Sequence, residues 1–441
     1  MKRFLLEYLP AWLLLMVLGF IVIHAPLTVW VGAQWPELAL TVKAWKELMI
    51  LLAALLIATA MYRRGTLKSF ISRPLVAIFL TYAALHVFMI GLYPQGVQAT
   101  VAGLMIDLRY VLYFIAIYGF LQLYPQYKQS FIRVAVVGAA IVVGFAVLQT
   151  VLPKETLALL GYGDSTIQPY LTVDKNPDYI RHNSTLRGPN PLGAYAAIVL
   201  AGVTAFWLNR RRINRSRVTP WVLGGLGAAS MVALWISYSR SAAVGAVVAV
   251  GIVLMVLLGK RMDRRAWYIV DAAIILLSGA IYVAKDTTFF QNVILHNNPT
   301  TGAVVDSNAA HVDSLAEGLQ RMAVQPLGAG IGSTGSASLM TNEGLIIENQ
   351  YLMIAHEVGW LGTLLFLFAF GMLLHQLWVR RKDWLALSVF ASGIGLAVIG
   401  LMLPVWADDT VSIVWWGLAA LAIIGSEYGN GTTNQKAKRT T

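Results

Sequence analysis

Long apolar stretches separated by short polar connections are the feature that most constrains this chain. A helix needs about 20 consecutive apolar residues to cross a bilayer, and many runs here approach or exceed that length. Charged residues make up 12% of the chain, against roughly 25% in soluble proteins. Because backbone polar groups must be satisfied within the bilayer, such runs predict helices. The expected fold class is therefore an all-α polytopic integral membrane protein.

We predict about twelve transmembrane helices in a single domain over residues 1–430, followed by a disordered cytoplasmic tail at 431–441. The first apolar run follows basic residues and has no small-residue cleavage site, so we interpret it as an uncleaved helix. Segment 26–44 contains two prolines and is predicted to be interfacial. The predicted spans lie near residues 8–25, 45–62, 74–93, 100–122, 134–152, 190–208, 219–237, 241–259, 267–284, 350–374, 384–403 and 410–426.

Lysine and arginine are concentrated in every second connection and at both termini. The positive-inside rule therefore predicts two cytoplasmic termini. A second loop at 153–189 and a large loop at 285–349 then lie on the extracytoplasmic side. This distribution accounts for the net charge of +12 without a nucleic-acid partner, and membrane lipids are the expected surroundings. The basic connections are 63–73, 123–133, 209–218, 260–266 and 379–383.

The large loop 285–349 is the candidate active-site loop. Loops longer than about 15 residues are usually functional or disordered, and the pattern inside this one argues against disorder. Ser307 is predicted to cap a short amphipathic helix that runs to about Val324 and lies over the outer mouth of the bundle. Pro326 ends this helix, and glycines at 328, 330, 332 and 335 turn the chain. The glycine run lacks the strand and lysine of a nucleotide-binding loop.

Four arginines are placed where they could bind a ligand. Arg187 precedes the sixth span, Arg240 lies at a tight outer hairpin and Arg321 lies near the end of the loop helix. Guanidinium groups match phosphate oxygens, so these three predict a phosphate or diphosphate site; the alternative is contact with lipid headgroups or loop acids. Arg109, inside the fourth span, is as well explained by a buried ion pair. Its neighbour Asp107 is two residues away and faces another direction, so each is expected to contact a different helix.

Two residues are candidate proton acceptors. Glu348 follows an apolar triplet just before the tenth span, where partial desolvation would suit a general base; the alternative is a helix cap. His311 on the loop helix is a second candidate, although a surface histidine is the simpler interpretation. The chain has no cysteine, and no pair of histidines has metal-ligand spacing with a nearby carboxylate. We therefore predict neither a metal site nor a cofactor.

Three local motifs, taken in order, resemble the O-antigen ligase and O-antigen polymerase superfamily. The first is RGPNPLG from Arg187 and the second is SYSRS around Arg240. The third is PLGAGIG from Pro326, followed by ENQYL from Glu348 and EVGWLG from Glu357. The spacing from Arg321 to Gly332 is also similar to the arginine–glycine motif of the polymerases. The resemblance covers roughly residues 100–430.

This resemblance implies a metal-independent, inverting glycosyltransferase of the polytopic type C kind, with its active site on the extracytoplasmic face of a bacterial inner membrane. The donor would be an oligosaccharide on a polyprenyl diphosphate, and the acceptor a glycan or glycolipid. Arg187 and Arg240 would hold the diphosphate, and Arg321 would help to close the donor site. Four further residues would also contact substrate: Arg109, Asn190, Asn349 and Tyr351.

One departure from the family pattern concerns the acceptor. The ligases carry histidine directly before the asparagine that matches Asn349, and this chain has Glu348 there. The change favours a polymerase, or a ligase with another acceptor, and leaves open whether a chain-length regulator takes part. Two alternatives come from other classes: a flippase for lipid-linked oligosaccharide, which should line a path with polar residues, and a structural or regulatory membrane partner.

Overall fold

The computed structural model describes residues 3–164, 166–174, 176–210, 220–259, 268, 275–276, 279–295, 307–341 and 344–424. The α-helices are α1 (Leu9–Phe20), α2 (His24–Gln34), α3 (Ala39–Arg63), α4 (Leu67–Ile71), α5 (Pro74–Leu92), α6 (Val97–Leu123), α7 (Lys128–Gln149), α8 (Pro189–Asn209), α9 (Pro220–Ile236), α10 (Arg240–Leu258), α11 (Ser307–Val324), α12 (Gly335–Ser338), α13 (Gln350–Val379), α14 (Trp384–Ile399) and α15 (Asp409–Ile423). Short 3₁₀ or π segments occupy Phe4–Tyr8, Ile21–Ile23, Pro36–Leu38, Pro125–Tyr127, Lys154–Leu160, Phe290–Leu295 and Val405–Ala407.

The helices are those of a multi-pass membrane protein. Within the described ranges, eight helical segments are long and apolar enough to cross a membrane, and α9, α14 and α15 are shorter apolar helices. These eleven segments coincide with eleven predicted spans. Half of the remaining predicted span, 267–284, lies outside the described residues, as does the whole tail 431–441. The number of spans and their sidedness therefore stay predictions.

The predicted inner and outer connections separate to opposite ends of the bundle. At one end, the Arg64 guanidinium donates to the Tyr124 hydroxyl at 2.8 Å, and Lys128 donates to the Ile424 carbonyl at 2.9 Å. These contacts join the basic connections. The uncharged and long loops contact one another instead: the Gln95 amide donates to the Ala329 carbonyl at 2.7 Å, and the Gln350 N–H to the Gly400 carbonyl at 2.8 Å.

Segment 26–44 is helical on both sides of a single break. Helix α2 continues from α1 through the 3₁₀ turn Ile21–Ile23, and the helix is interrupted at Trp35, directly before Pro36. Proline restricts the residue that precedes it to extended conformations, which is why the helix ends there. Trp30 and Trp35 pack edge to face at 5.6 Å and are exposed.

Helix α15 lies at the centre of the bundle. It is apolar on all sides, and nearly every residue in it is buried, as expected of a helix enclosed by others. Its Trp415 and Trp416 pack against aromatic side chains from α6 and α13. Nearby, α10 and α14 touch through glycines, since a Cβ added at Gly395 would lie 2.4 Å from the Gly245 carbonyl oxygen. Such contacts between small residues hold membrane helices together.

The second loop contains a small β-hairpin that the all-α prediction missed. Strand β1 (Tyr170–Val173) pairs antiparallel with β2 (Asn176–His182), with Tyr170 opposite His182. The turn begins at Asp174, whose φ is +46°; aspartate tolerates this left-handed region better than most residues. No clear strand pattern marks this hairpin in the sequence, because both strands are short and β2 is mostly polar.

The large loop folds as predicted around α11, which spans Ser307–Val324. After it, the segment 326–335, here named the glycine strap, packs against a break in α13. Gly359 has φ +68° inside α13, and this break frees carbonyls of the preceding turn. Those of His356 and Glu357 accept hydrogen bonds from the strap N–H groups of Ala329 (2.6 Å) and Gly330 (3.1 Å).

Glycine is required in the strap because the chain passes between other backbones. Gly330 and Gly332 have φ of +101° and +85°. A Cβ at Gly330 would lie 2.2 Å from the Tyr93 carbonyl oxygen, and one at Gly332 would lie 2.3 Å from that of Ala99. The strap therefore anchors the large loop to α13 and to the start of α6.

Candidate active site

Two arginines come together where the second loop meets the turn between α9 and α10. Arg181 on β2 donates from Nε to the Ser237 carbonyl at 2.9 Å, and from Nη2 to the Asn190 side-chain oxygen at 2.6 Å. Arg240, the first residue of α10, donates to the Ile294 carbonyl at 2.9 Å. We name Arg181 and Arg240 the outer arginine pair. Because a guanidinium has five N–H donors, the two contacts of Arg181 leave others for a ligand.

The positive charges of the outer arginine pair are close enough to affect each other. Burial, and to a smaller extent the charge of Arg240, lowers the pKa of Arg181 to about 10, while the carboxylate of Asp174 opposes this shift. Asp174 also acts on Arg240. Asp174 therefore acts on both cations. Two neighbouring, partly desolvated cations favour binding of an anion.

An aromatic group lies beside the arginines, and its sequence pattern occurs twice. Tyr179 and Arg181 are two residues apart on a strand and so lie on the same side of it, and Tyr238 precedes Arg240 by the same interval. The two tyrosine rings lie 6.3 Å apart, and Phe289 lies 6.0 Å from Tyr179. Trp235 stacks on Phe289 at 5.8 Å. We call Tyr179, Trp235, Tyr238 and Phe289 the aromatic group.

The turn that carries Tyr238 is held tightly by its surroundings. Tyr238 has φ +46°, a left-handed conformation that costs a non-glycine residue about 1–3 kcal/mol and often marks a functional site. Helix α8 supports the turn through Gly193, where an added Cβ would lie 2.6 Å from the Ala242 Cβ and 2.9 Å from the Ser237 hydroxyl. The N-termini of α8 and α10 thus lie close together, and helix N-termini favour anions.

Arg187, predicted to bind diphosphate, is exposed just before α8. Its charge acts on Asp408, the N-cap of α15. Burial and the neighbouring charge of Asp409 raise the pKa of Asp408 to about 6, while Arg187 and Arg109 oppose that rise. Arg187 therefore lies at the approach to a buried group of charges.

That buried group, here named the inner cluster, explains Arg109. Its guanidinium lies 3.8 Å from Glu47 and donates to the Ala407 carbonyl. Lys46 lies 3.3 Å from both Glu47 and Asp409. The ring of His24 accepts from the Trp45 indole at Nδ1 and faces Asp409 with Nε2 at 3.2 Å. The members of the inner cluster are His24, Lys46, Glu47, Arg109 and Asp409.

Asp107 and Arg109 do contact different helices, as the spacing predicted. Arg109 faces Glu47 on α3, whereas the Asp107 carboxyl interacts electrostatically with Glu357 on α13. For Arg109, the structure agrees with the buried ion pair that was one of its two interpretations.

Glu348 differs from its expected environment. Its side chain is exposed, so the prediction of a partly desolvated carboxylate is wrong. The preceding Ile347 turns inward and packs with Met322 of α11 and Leu352 of α13, which leaves Glu348 on the outer surface. An exposed carboxylate is accessible to an acceptor, and its role as a base stays a prediction.

Asn349 and Tyr351 hold α13 in place. The Asn349 side-chain oxygen accepts from the N–H groups of Tyr351 (2.9 Å) and Leu352 (3.0 Å), and its amide donates to the Leu401 carbonyl at 2.8 Å. The Tyr351 hydroxyl donates to the Ala397 carbonyl at 2.8 Å. These bonds join α13 to α14, so the motif that begins at Glu348 has a structural role whatever else it does.

Arg321 pairs with Glu317 one turn earlier on α11 at 2.6 Å, and its charge acts on His356. It lies in the last turn of α11, next to Met322, which is packed on α13. His311 belongs to the same helix, but its side chain lies outside the described part of the structure. The predictions that Arg321 closes a donor site and that His311 accepts a proton are untested.

Sequence reasoning missed Arg181, the residue that connects β2, α8 and the α9–α10 turn. The repeated Tyr-x-Arg pattern at 179–181 and 238–240 was the signal that could have identified it. No protein-family model matches the chain, and a comparison with curated proteins finds no similar sequence. The site must therefore be interpreted from its own geometry.

Proposed function

We propose that the protein is an extracytoplasmic glycan transferase. It moves an oligosaccharide from a polyprenyl-diphosphate donor to a sugar hydroxyl of an acceptor, in the manner of O-antigen ligases or polymerases. The observation that carries this proposal is the outer arginine pair, two neighbouring cations at the meeting point of two helix N-termini.

The donor diphosphate binds the outer arginine pair in this proposal. When the bond between the anomeric carbon and the phosphate oxygen breaks, negative charge develops on the leaving lipid diphosphate. Preorganised cationic donors stabilise such charge, and loss of one comparable donor costs about 10²–10³ in rate. Arg187, exposed near Asp408, attracts the same anion from the approach.

The aromatic group orients the sugar in this proposal. Flat ring faces beside a phosphate site suit the apolar faces of a pyranose, and aromatic residues provide large contact area. Tyr179 and Tyr238 are each two residues from an arginine of the pair. A donor whose diphosphate lies on the arginines therefore has its first sugar within reach of these rings.

Glu348 is the candidate base. It accepts the proton of the acceptor hydroxyl as that oxygen attacks the anomeric carbon from the face opposite the diphosphate. The new glycosidic bond forms as the bond to the phosphate oxygen breaks, which inverts the configuration. A carboxylate is competent for this role, and the exposed position of Glu348 allows a large acceptor to reach it.

The test is transfer by purified protein in liposomes from a polyprenyl-diphosphate oligosaccharide, with chelator present. We expect product from the wild type, and about 10²-fold or greater loss in Arg181→Ala and Arg240→Ala. Glu348→Gln should lower the rate with little effect on donor binding. Arg133→Ala, at an exposed position on α7, is the matched control. Extended repeats would indicate a polymerase, and single transfer to an added acceptor a ligase.

Transport of lipid-linked oligosaccharide is the second candidate, and one observation favours it. Titratable side chains are buried on α2, α3, α6, α13 and α15, as expected along a polar path through a membrane. Well-folded wild type that moves the lipid-linked sugar between leaflets without forming product would replace the transferase proposal.

A further inference from the structure

Helix α11 of the large loop packs on the bundle along one narrow edge. Successive residues of an α-helix are turned by about 100°, so Gly318 and Met322 point in nearly the same direction. Both are buried against α13: a Cβ added at Gly318 would lie 2.9 Å from the Leu352 Cδ1 atom, and Met322 packs with Leu352 and Ala355. This direction defines the packed edge of α11.

The apolar surface of α11 is wider than its packed edge. Val312, Leu315 and Leu319 lie within about 100° of that edge on one side, and they are 65%, 42% and 52% exposed. We name these three residues the apolar flank. The other side of the helix carries polar residues, namely Asp313, Glu317, Gln320 and Arg321. An exposed apolar surface that is rimmed by polar residues marks contact with another protein or with a membrane.

The position of α11 indicates which of these two covers the apolar flank. Its last turn is bonded to Trp360 of the membrane-crossing helix α13. The Trp360 indole donates to the Met322 carbonyl at 3.2 Å, and its backbone N–H donates to the Pro326 carbonyl at 3.0 Å. Trp360 is itself exposed, and tryptophan is enriched at the boundary between lipid and water. Helix α11 therefore lies at the level of this boundary.

The exposed surface of α13 leads from the membrane towards the apolar flank. Leu361 and Leu364 follow Trp360 on α13, and both are exposed, as expected where a membrane-crossing helix faces lipid. Leu327, just after α11, is exposed as well. It lies against α13, since a Cβ added at Gly359 would lie 2.6 Å from its carbonyl carbon. The lipid that surrounds α13 is thus already next to α11, whereas a protein partner would have to displace it.

The charges of α11 favour apolar contact over attraction to headgroups. Helix α11 carries Asp313, Glu317 and Arg321, one more acid than base, and Arg321 is already paired with Glu317. Helices that bind membranes through anionic headgroups are instead rich in lysine and arginine on the polar side. Binding of α11 to lipid must therefore come from its apolar area.

We propose that α11 is an interfacial helix whose apolar flank is embedded in the membrane leaflet next to it. The flank contacts the acyl chains about 5–10 Å below the headgroup surface, and the polar side faces water. Lipid then holds the large loop in place together with the glycine strap. The inference does not depend on the proposed glycan transfer.

The first test uses a nitroxide label on the full-length protein in liposomes, which is possible because the chain has no cysteine. Leu315→Cys and Asp313→Cys are a matched pair, two residues apart on nearly opposite sides of the helix. The label in Leu315→Cys should be accessible to oxygen, which concentrates in lipid, and protected from a neutral, water-soluble nickel chelate. The label in Asp313→Cys should show the reverse. Leu364→Cys on α13 provides the reference for lipid, and Leu319→Cys replaces Leu315→Cys if that variant does not fold.

Two outcomes of this test would overturn the proposal. Equal access of nickel to the labels in Leu315→Cys and Asp313→Cys would show that the apolar flank is in water. Protection of the Leu315→Cys label from both reagents would show that protein covers the flank, either another segment of this chain or a second copy.

The second test places a charge on the apolar flank, with the label in Leu319→Cys. Adding Leu315→Asp should raise nickel access, because loss of one buried leucine shifts the equilibrium about tenfold or more towards the released helix. Gln320→Asp adds the same charge on the polar side and should leave nickel access unchanged. Phosphatidylglycerol in place of phosphatidylcholine should leave the depth of the label unchanged. Equal nickel access in the two aspartate variants, or a depth that depends on the anionic lipid, would contradict apolar embedding.

Discussion

Arginine has a different role in the inner cluster and in the outer arginine pair. In the inner cluster, two cations, Lys46 and Arg109, face two carboxylates, Glu47 and Asp409, at ion-pair distances of 3.3–3.8 Å. In the outer pair, Arg181 and Arg240 share the nearby charge of Asp174.

This difference distinguishes an arginine that stabilises the fold from one that binds a ligand. A buried ion pair is costly to break because it leaves an uncompensated charge, so the inner cluster should govern folding. Two neighbouring, partly buried cations should instead gain from an added anion.

Removal of one inner cation should unfold the protein. In Lys46→Met the side chain keeps its length, but the carboxylates of Glu47 and Asp409 lose a counter-charge in the bundle. We expect a loss of about 3–5 kcal/mol, measured by thermal unfolding in detergent. The same substitution at the exposed Lys68 should change stability by about 0.5 kcal/mol or less. Equal stability of both variants would show that the inner cluster is not held by its charges.

Inorganic pyrophosphate should stabilise the wild type through the outer pair. A ligand at a hundred times its Kd adds about 2.7 kcal/mol of stability, which raises the unfolding midpoint. Arg181→Ala and Arg240→Ala should lose this shift, whereas Arg133→Ala should retain it. Sulfate at matched ionic strength controls for general salt effects. If both site variants kept the full shift, the anion would bind elsewhere.

A methyl group added at Gly193 should weaken anion binding at the outer arginine pair while both arginines stay in the protein. In Gly193→Ala the new Cβ meets Ala242 and Ser237 and pushes the α9–α10 turn away from Asn190. We expect about tenfold weaker pyrophosphate binding, equivalent to about 1.4 kcal/mol, measured by titration calorimetry. Gly202→Ala on the same helix has open space around it and should bind normally. Identical affinities would mean that the turn does not position the pair.

Between the two regions, Asp408 should make stability depend on pH. The carboxyl ionises at its ordinary pKa of 3.8 when unfolded but at about 6 when folded. Between these values only the unfolded state releases the proton, so wild-type stability falls as pH rises from about 4 to about 6. Asp408→Asn keeps a competent N-cap and should be more stable above pH 6, by on the order of 1 kcal/mol because the group is partly exposed. A variant whose pH profile parallels the wild type would reject this assignment.

The sequence predicted the parts of this molecule that depend on local pattern. The length of the apolar runs predicted the helices. A serine followed by apolar residues at helical spacing predicted the bounds of α11. Spacing of two residues also separated Asp107 from Arg109. Contacts between distant segments were not predictable in this way: Arg181 reaches Asn190 and Ser237 only because a hairpin folds back over α8. The exposed state of Glu348 likewise depends on Ile347 packing against α11, which no local pattern records.

The glycine strap has a consequence for how the chain is made. The Gln95 side chain bonds the Ala329 carbonyl across 234 residues, and synthesis proceeds at about 5–20 residues per second. The first helices are therefore synthesised roughly 10–50 s before the glycine strap. During that interval the surface around Tyr93 and Ala99 is open to other proteins of the membrane. An insertion chaperone that covers this surface and is displaced by the strap would act in that window.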